Sequence, residues 1–268
     1  MKNYPIGILD SGLGGLTVLA SIAQELPHES FIYAGDSANT PYGIKSEEEI
    51  YARAKRLIEF LVTKNVKLIV IACNTITVSC LDRLRIDYPE IPLIGTVPVV
   101  KTAAEVTKNK RIGILSTSRT AKSEYQKHLI EEFAEGCTVF NHGNDEIVPL
   151  IEKGEKDSEE MREVLEKAVS VFEKEGVDTL VLGCTHFPFV KDQIQALAGD
   201  DVQLLDSGGA LARQVRRVLE HNTNLSEEEE REVKIFTTGN IQIAKKLAEE
   251  VIKDEAIQVE PFSYNYEH

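Results

Sequence analysis

The sequence lacks a disulfide framework and a metal-binding pattern. Its 268 residues contain four cysteines, and no two of them form a C-x-x-C pair. Isolated cysteines in a chain of this size are kept as free thiols in a reducing compartment. The six histidines show no ligand-like spacing with the cysteines, so we expect no metal site.

Basic residues and long apolar runs are also scarce. Thirty Lys and Arg stand against 44 Asp and Glu, which gives a net charge of −14 and argues against a nucleic-acid partner. No apolar run reaches the roughly 18 residues of a membrane span, and the first residues lack the apolar core of a secretion signal. We therefore expect a cytoplasmic protein that does not associate with membranes.

Nucleotide-binding motifs are missing as well. The glycine-rich segment 10–17, Asp-Ser-Gly-Leu-Gly-Gly-Leu-Thr, follows a predicted strand and opens a predicted helix. It matches neither G-x-G-x-x-G nor the G-K-[ST] ending of a P-loop. Its backbone N–H groups are still suited to a small anion such as a carboxylate.

Short apolar runs alternate with longer amphipathic stretches along the chain, which predicts an α/β fold with parallel sheets covered by helices. The predicted strands are 6–9, 31–34, 68–72, 93–97, 112–116, 138–140, 179–182, 202–205 and 234–237. The clearest predicted helix, 46–64, begins at Ser46 with three glutamates in its first turn. Further helices are predicted at 158–174 and 208–220, and 227–232 is predicted to be a solvated linker or a helix start.

An internal repeat organises these elements. Ile6-Gly7-Ile8-Leu9 matches Ile112-Gly113-Ile114-Leu115 at an offset of 106, and the strand ending at Cys73 matches the strand ending at Cys184 at an offset of 111. The repeat predicts two similar parallel-sheet domains related by a pseudo-twofold, with the active site in the cleft between them. Similar βα units can also recur by chance in any α/β protein.

Two thiols that face each other across a cleft have a specific chemical use. One can remove a proton from a carbon while the other returns a proton to the opposite face, which inverts the stereocentre. Each of Cys73 and Cys184 follows an apolar strand, at the sheet edge where open α/β folds bind ligands. His186 and Asp10 are placed to assist Cys184 and Cys73, respectively. The alternative is that free cysteines merely pack as small hydrophobes, which we expect of Cys80 and Cys137.

Neutral hydroxyls and amides occupy the equivalent loops and suit a zwitterionic amino acid. They belong to Ser11, Asn74, Thr75, Thr117, Thr120 and Thr185. Pro41, Tyr42 and Gly43 form either a wall of the cleft or an ordinary Pro-Gly turn.

The segments 10–17, 41–43 (Pro-Tyr-Gly), 72–75 (Ala-Cys-Asn-Thr) and 182–186 (Leu-Gly-Cys-Thr-His) together resemble the signature segments of the glutamate racemases. The resemblance covers nearly the whole chain. It implies a cofactor-independent two-base racemase of the Asp/Glu racemase superfamily that supplies D-glutamate for peptidoglycan, with Cys73 and Cys184 as the acid/base pair. It also implies glutamate binding by Asp10, Ser11, Tyr42, Gly43, Asn74, Thr75, Thr185 and His186. We further expect a homodimer.

The resemblance further implies a discontinuous first domain, residues 1–96 with 207–268, and a second domain, residues 97–206. The sequence departs from the family pattern at Asn39, where an arginine is usual, and at 96–99, near the expected hinge.

Other functions remain open from the residues alone. An aspartate or other amino-acid racemase of the same superfamily would use the same cysteine pair with a different side-chain pocket. A two-lobed amino-acid-binding protein needs the cleft but not both thiols. A cysteine hydrolase needs one thiol and a paired histidine, and leaves the second thiol unexplained.

Overall fold

The structure is a computed structural model that describes residues 2–96, 99–222, 224–228, 231–253 and 257–263. The strands of this part of the chain are β1 (Ile6–Asp10), β2 (Phe31–Gly35), β3 (Leu68–Ile71), β4 (Leu93–Gly95), β5 (Arg111–Ser116), β6 (Thr138–Gly143), β7 (Thr179–Gly183), β8 (Gln203–Asp206), β9 (Val233–Thr237) and β10 (Ile257–Pro261). The α-helices are α1 (Leu16–Glu25), α2 (Glu47–Thr63), α3 (Asn74–Asp87), α4 (Val100–Val106), α5 (Ser118–Lys122), α6 (Glu124–Phe133), α7 (Ile147–Glu152), α8 (Glu159–Lys174), α9 (Lys191–Ala198), α10 (Gly208–His221) and α11 (Ile241–Val251). Short 3₁₀ turns occur at Ser37–Asn39, Tyr42–Ile44 and Phe187–Val190.

The described strands form two parallel sheets, as the alternating pattern predicted. One is six-stranded, with the order β10-β9-β2-β1-β3-β4, and the other is four-stranded, with the order β6-β5-β7-β8. Strands β1, β3, β5 and β7 are buried on both faces because helices cover the sheets. The α/β fold class is therefore confirmed.

The internal repeat extends to the pairing register. The order β2-β1-β3-β4 in one sheet is repeated by β6-β5-β7-β8 in the other. Leu9 pairs with Ile71 in the first sheet, and Leu115 pairs with Leu182 in the second. Cys73 and Cys184 therefore follow equivalent positions of two equivalent strands, which a chance recurrence of βα units would not produce.

The predicted elements lie close to the observed ones. Helix α2 begins after Ser46, whose side chain accepts a hydrogen bond from the Glu49 N–H at 3.3 Å, and its buried face includes Ile50, Leu57 and Leu61. In the predicted linker 227–232, residues 227 and 228 are not helical, and residues 229 and 230 lie outside the described residues. Residue 97 of the predicted fourth strand also lies outside them. Strand β10 was not predicted, because it is a half-exposed edge strand without a continuous apolar run.

The end of the chain returns to the first sheet, since β9 pairs with β2 and β10 pairs with β9. We propose that the first domain comprises residues 1–96 and 207–268 and that the second comprises 97–206, as the resemblance implies. The proposal is supported by the contacts of α10 with α1 and of α4 with β7. The chain passes between the two proposed domains after residue 96 and before residue 207, and the Thr96 and Ser207 hydroxyls lie 3.0 Å apart. Residues 97 and 98 lie outside the described part of the chain. Over the described ranges, no helix is both long enough and apolar enough to cross a membrane.

Candidate active site

The predicted site residues converge where the carboxyl ends of the two sheets meet. Cys73 is the residue before α3 and follows β3, while Cys184 follows β7. Their exposed fractions are 4% and 7%. Asp10 ends β1, which pairs with β3, and its carboxylate accepts a hydrogen bond from Thr185, the residue after Cys184, so the strand ends that carry the two thiols meet here.

The surroundings of Cys73 favour the neutral thiol. Burial, and then the nearby charge of Asp10, raise its pKa to about 12, although a hydrogen bond with Ser11 opposes the shift. Its Sγ donates to the Ser11 hydroxyl at 3.3 Å. At neutral pH Cys73 is therefore protonated and able to donate a proton.

The surroundings of Cys184 are different, because its sulfur lies beside an imidazole that in turn contacts a carboxylate. His186 Nδ1 lies 3.9 Å from the Cys184 Sγ, and His186 Nε2 lies 2.6 Å from Oε1 of Glu152. Burial opposes the charged imidazole, but the hydrogen bonds to Cys184 and Glu152 outweigh it and raise the pKa of His186 well above its usual value. The result is an imidazolium held between a thiol sulfur and a carboxylate.

The proton on His186 Nε2 is assigned from its neighbours. The Gly14 N–H also points at this nitrogen, from 3.2 Å, and one nitrogen cannot donate to Glu152 while it accepts from Gly14. The carboxylate is closer and charged, so we place the proton between Nε2 and Glu152.

Glu152 was not predicted from the sequence. It ends α7, and its Oε1 also accepts the Leu13 N–H at 2.6 Å, which links the second half of the chain to the glycine-rich loop of the first. Its side chain is 9% exposed. It stands 34 residues before His186, after an apolar stretch that contains no chemical motif. Only the packing of α7 against the cleft brings the two side chains together.

Asp10 lies at the end of β1 and is fully buried. Its Oδ1 accepts the Gly12 N–H at 3.0 Å, and its Oδ2 accepts the Thr185 hydroxyl at 3.1 Å. Burial raises its pKa, while the charge of His186 and the Gly12 N–H partly offset that effect. Asp10 thus connects the glycine-rich loop to the loop that carries Cys184, rather than serving the Cys73 side alone.

A cluster of threonines from both halves lines another part of the site. Thr75 Oγ1 lies 2.9 Å from Thr117 Oγ1, and Thr117 Oγ1 lies 3.0 Å from Thr120 Oγ1. Next to Thr75, Asn74 is 3% exposed, and neither polar atom of its amide has a hydrogen-bond partner among the described residues. Buried amides are nearly always paired in folded proteins, so this amide is a strong candidate to contact a ligand.

The segment Pro41-Tyr42-Gly43 forms a wall beside these threonines. Tyr42 donates its hydroxyl to Oδ2 of Asp36 at 2.7 Å. A Cβ atom on Gly43 would lie 3.0 Å from the Thr117 Cβ and would overlap a carboxylate oxygen of Asp145. This close approach needs a glycine, so the segment is more specialised than an ordinary turn.

Asp36 was also absent from the sequence predictions. It is fully buried and accepts hydrogen bonds from Tyr42, from Asn39 at 2.7 Å and from Thr238 at 3.0 Å. Asn39, at the position where the family usually has arginine, is therefore one of the residues that hold this carboxylate beside the wall.

The other two cysteines lie in cores, as expected. Cys80 is 4% exposed and donates to the Ile76 carbonyl at 3.3 Å, and Cys137 is half-buried against the core of the second sheet. Among the described residues, no group of three or more His, Cys, Asp or Glu side chains is arranged to hold a metal ion.

Comparisons with known proteins identify related sequences and structures. Residues 6–215 match the model of the Asp/Glu/Hydantoin racemase family. The chain is 42% identical to a glutamate racemase of Pseudomonas paraeruginosa over 81% of this chain and 82% of that protein. The crystal structure of a glutamate racemase isoform from Bacillus anthracis superposes with a TM-score of 0.88 at 32% identity, over 98% of both chains. The glutamate racemase of Francisella tularensis in complex with D-glutamate gives a TM-score of 0.84 at 30% identity, also over 98% of both chains.

Proposed function

Because the chain belongs to the Asp/Glu/Hydantoin racemase family and its relatives from Pseudomonas paraeruginosa and Bacillus anthracis are glutamate racemases, we propose that it interconverts L- and D-glutamate with Cys73 and Cys184 as the two catalytic groups. The observation that carries the proposal is the repeat itself. It places one thiol after each of two equivalent strands, β3 and β7, at the junction of the two sheets. No cofactor is required, because two thiols suffice for the proton transfers.

The unequal surroundings of the thiols give them different roles at rest. Cys184, beside the His186 imidazolium, is the base that removes the α-proton of L-glutamate. Cys73, which is kept as a thiol by burial and by Asp10, donates its proton to the opposite face of the carbanion. The reverse reaction exchanges these roles, so the proton moves from the α-carbon of D-glutamate to Cys73 while Cys184 supplies the new one.

The remaining residues suit the charged groups of glutamate. The Asp10 carboxylate is the buried anion beside the cleft that best fits the ammonium group. Asn74, Ser11, the threonines 75, 117, 120 and 185, and the wall at 41–43 offer neutral hydrogen-bond donors for the two carboxylates. His186 also contacts substrate in this proposal.

The alternatives account for fewer of these features. A cysteine hydrolase would use Cys184 and His186 but leaves buried Cys73 without a role. A two-lobed binding protein does not need an imidazole and a carboxylate aligned on one thiol. An aspartate racemase would share all of this chemistry, and a comparison of L-glutamate with L-aspartate as substrates distinguishes the two.

The first experiment is to follow circular dichroism of L-glutamate with the purified protein in the absence of added cofactor. Loss of the signal to zero, with no comparable loss for L-aspartate, is expected. A stable L-glutamate signal, or loss only with added pyridoxal phosphate or metal, would contradict the proposal.

Cysteine variants test the roles of the two thiols. A substrate of the β-chloroglutamate type loses its leaving group after one proton abstraction, so elimination needs only one base. Racemisation should nearly vanish in both Cys73→Ser and Cys184→Ser. Cys184→Ser should retain elimination from the D-form and Cys73→Ser from the L-form. Cys80→Ser is the matched control and should leave both reactions unchanged. Equal residual elimination of both enantiomers by each variant would rule out two facing thiols.

In the cell, we propose that the protein acts in the cytoplasm as a homodimer and supplies D-glutamate for peptidoglycan. Family membership supports the peptidoglycan role. Light scattering coupled to size exclusion tests the dimer, and dependence of a depleted strain on external D-glutamate tests the cellular role.

A further inference from the structure

Tyr33, on β2, is a buried residue to which the proposed chemistry gives no task. It is fully buried, and its hydroxyl donates to the Gly12 carbonyl at 2.6 Å. The same hydroxyl faces Gly15, because a Cβ atom on that glycine would lie 3.0 Å from it. One phenol oxygen therefore contacts both ends of the short segment Gly12–Gly15.

This segment, with Ser11, forms the Ser11–Gly15 loop, which contacts the supporting groups of both thiols. On one side, the Ser11 hydroxyl accepts from the Cys73 Sγ at 3.3 Å. On the other side, the Leu13 N–H donates to Glu152 at 2.6 Å, and the Gly14 nitrogen lies 3.2 Å from the His186 ring. Between them, the Gly12 N–H donates to Asp10 at 3.0 Å. A shift of the loop would disturb both halves of the site together.

We propose that Tyr33 is a positioning residue that fixes the Ser11–Gly15 loop and thereby aligns the supporting groups of both thiols at once. The inference rests on the proposed racemase function. Three glycines in the loop leave its backbone poorly restrained by its own side chains, so a rigid anchor beneath it is needed. The phenol supplies this anchor from β2, a buried strand that is paired on both sides, with β1 and with β9.

The test is Tyr33→Phe, which keeps the ring and removes only the hydroxyl. The Gly12 carbonyl then loses its buried donor, and kcat/KM for racemisation should fall about tenfold to hundredfold. Elimination from both enantiomers of the β-chloroglutamate-type substrate should also slow, in contrast to the one-sided effect of each cysteine variant. The acidic limb of the pH profile should move to higher pH, because the Gly12 N–H that lowers the pKa of Asp10 is no longer held in place.

Thr107→Val is the matched control, since it removes a hydroxyl that donates to Asp178 at the same 2.6 Å, away from the carboxyl ends of the strands. It should lower the melting temperature without changing kcat/KM or the pH profile. Tyr33→Phe with unchanged kinetics, or with a loss for one enantiomer alone, would overturn the proposal.

A second variant, Thr17→Val, releases the same loop from its other side, where the Thr17 hydroxyl lies 2.9 Å from the Gly14 carbonyl and 3.0 Å from the Thr185 carbonyl. If Tyr33→Phe does not fold, Thr17→Val tests whether the Ser11–Gly15 loop supports both thiols. Slower elimination from both enantiomers supports the loop as the common support, and normal elimination from both refutes it. If L-glutamate is not racemised by the unaltered protein while β-chloro elimination proceeds, the proposed function fails and the role of Tyr33 in elimination can still be measured.

Discussion

Replacement of Glu152 by glutamine should damage one side of the active site selectively. The carboxylate lies 2.6 Å from His186 Nε2, and the two side chains are 9% and 1% exposed. Glutamine keeps the shape and one hydrogen bond to Leu13 but removes the negative charge that helps to raise the pKa of His186. The imidazolium beside Cys184 is then less stable.

The size of the effect follows from the lost interaction. A hydrogen bond to a charged group contributes about 1.5–3 kcal/mol, and 1.36 kcal/mol corresponds to tenfold in a rate. Elimination from the L-form of a β-chloroglutamate-type substrate, which depends on Cys184, should therefore slow by about tenfold to hundredfold. Elimination from the D-form, which depends on Cys73, should change much less.

The pH dependence gives the sign of the effect. Since Glu152 raises the pKa of His186, its removal lowers that pKa, and the imidazole of the variant loses its proton at a lower pH than in the unaltered protein. The defect should thus be small at acidic pH and grow as pH rises. Initial rates of chloride release from each enantiomer, measured across pH, provide the assay.

Glu155→Gln is the control, because it makes the same charge change at an exposed position three residues away. It should behave like the unaltered protein. A loss in Glu152→Gln that is equal for both enantiomers, or one that does not vary with pH, would refute the assignment of Glu152 to the Cys184 side.

Two further substitutions test the cleft. Asn74→Leu removes an amide whose polar atoms are buried without partners among the described residues. In thermal or urea unfolding, the variant should stabilise the ligand-free protein by about 1–3 kcal/mol, and its KM for glutamate should rise. A lower stability with unchanged KM would contradict a ligand-binding role. Gly12→Ala introduces a Cβ that would overlap Oε1 of Glu152, so kcat should fall as Glu152 is displaced. Gly209→Ala, where the nearest atom to the new Cβ is an Arg213 nitrogen at 3.5 Å, is the control. Equal activity of the two variants would show that the close contact between Gly12 and Glu152 is not needed.

Much of the fold could be predicted from local sequence because it depends on local chemistry. Short apolar runs such as 6–9 and 68–72 predicted the buried parallel strands β1 and β3, and Ser46 followed by three glutamates predicted the start of α2. The offsets of 106 and 111 predicted equivalent strands, and the observed register repeats as those offsets require. Strand β10 was not predicted, because a half-exposed edge strand has no distinctive apolar pattern.

The residues of the candidate site fall into the same two groups, those that local sequence identifies and those that depend on tertiary packing. Cys73, Cys184, Asp10 and His186 could be identified because each adjoins a strand end, and a strand end is a property of nearby residues. Glu152 and Asp36 could not, since their roles arise from contacts with His186 and Tyr42 that depend on how separate elements pack. The sequence by itself determined where the two thiols are. Only the tertiary structure decided that they differ, because burial, the charge of Asp10 and the His186–Glu152 pair act through space between segments that are distant along the chain.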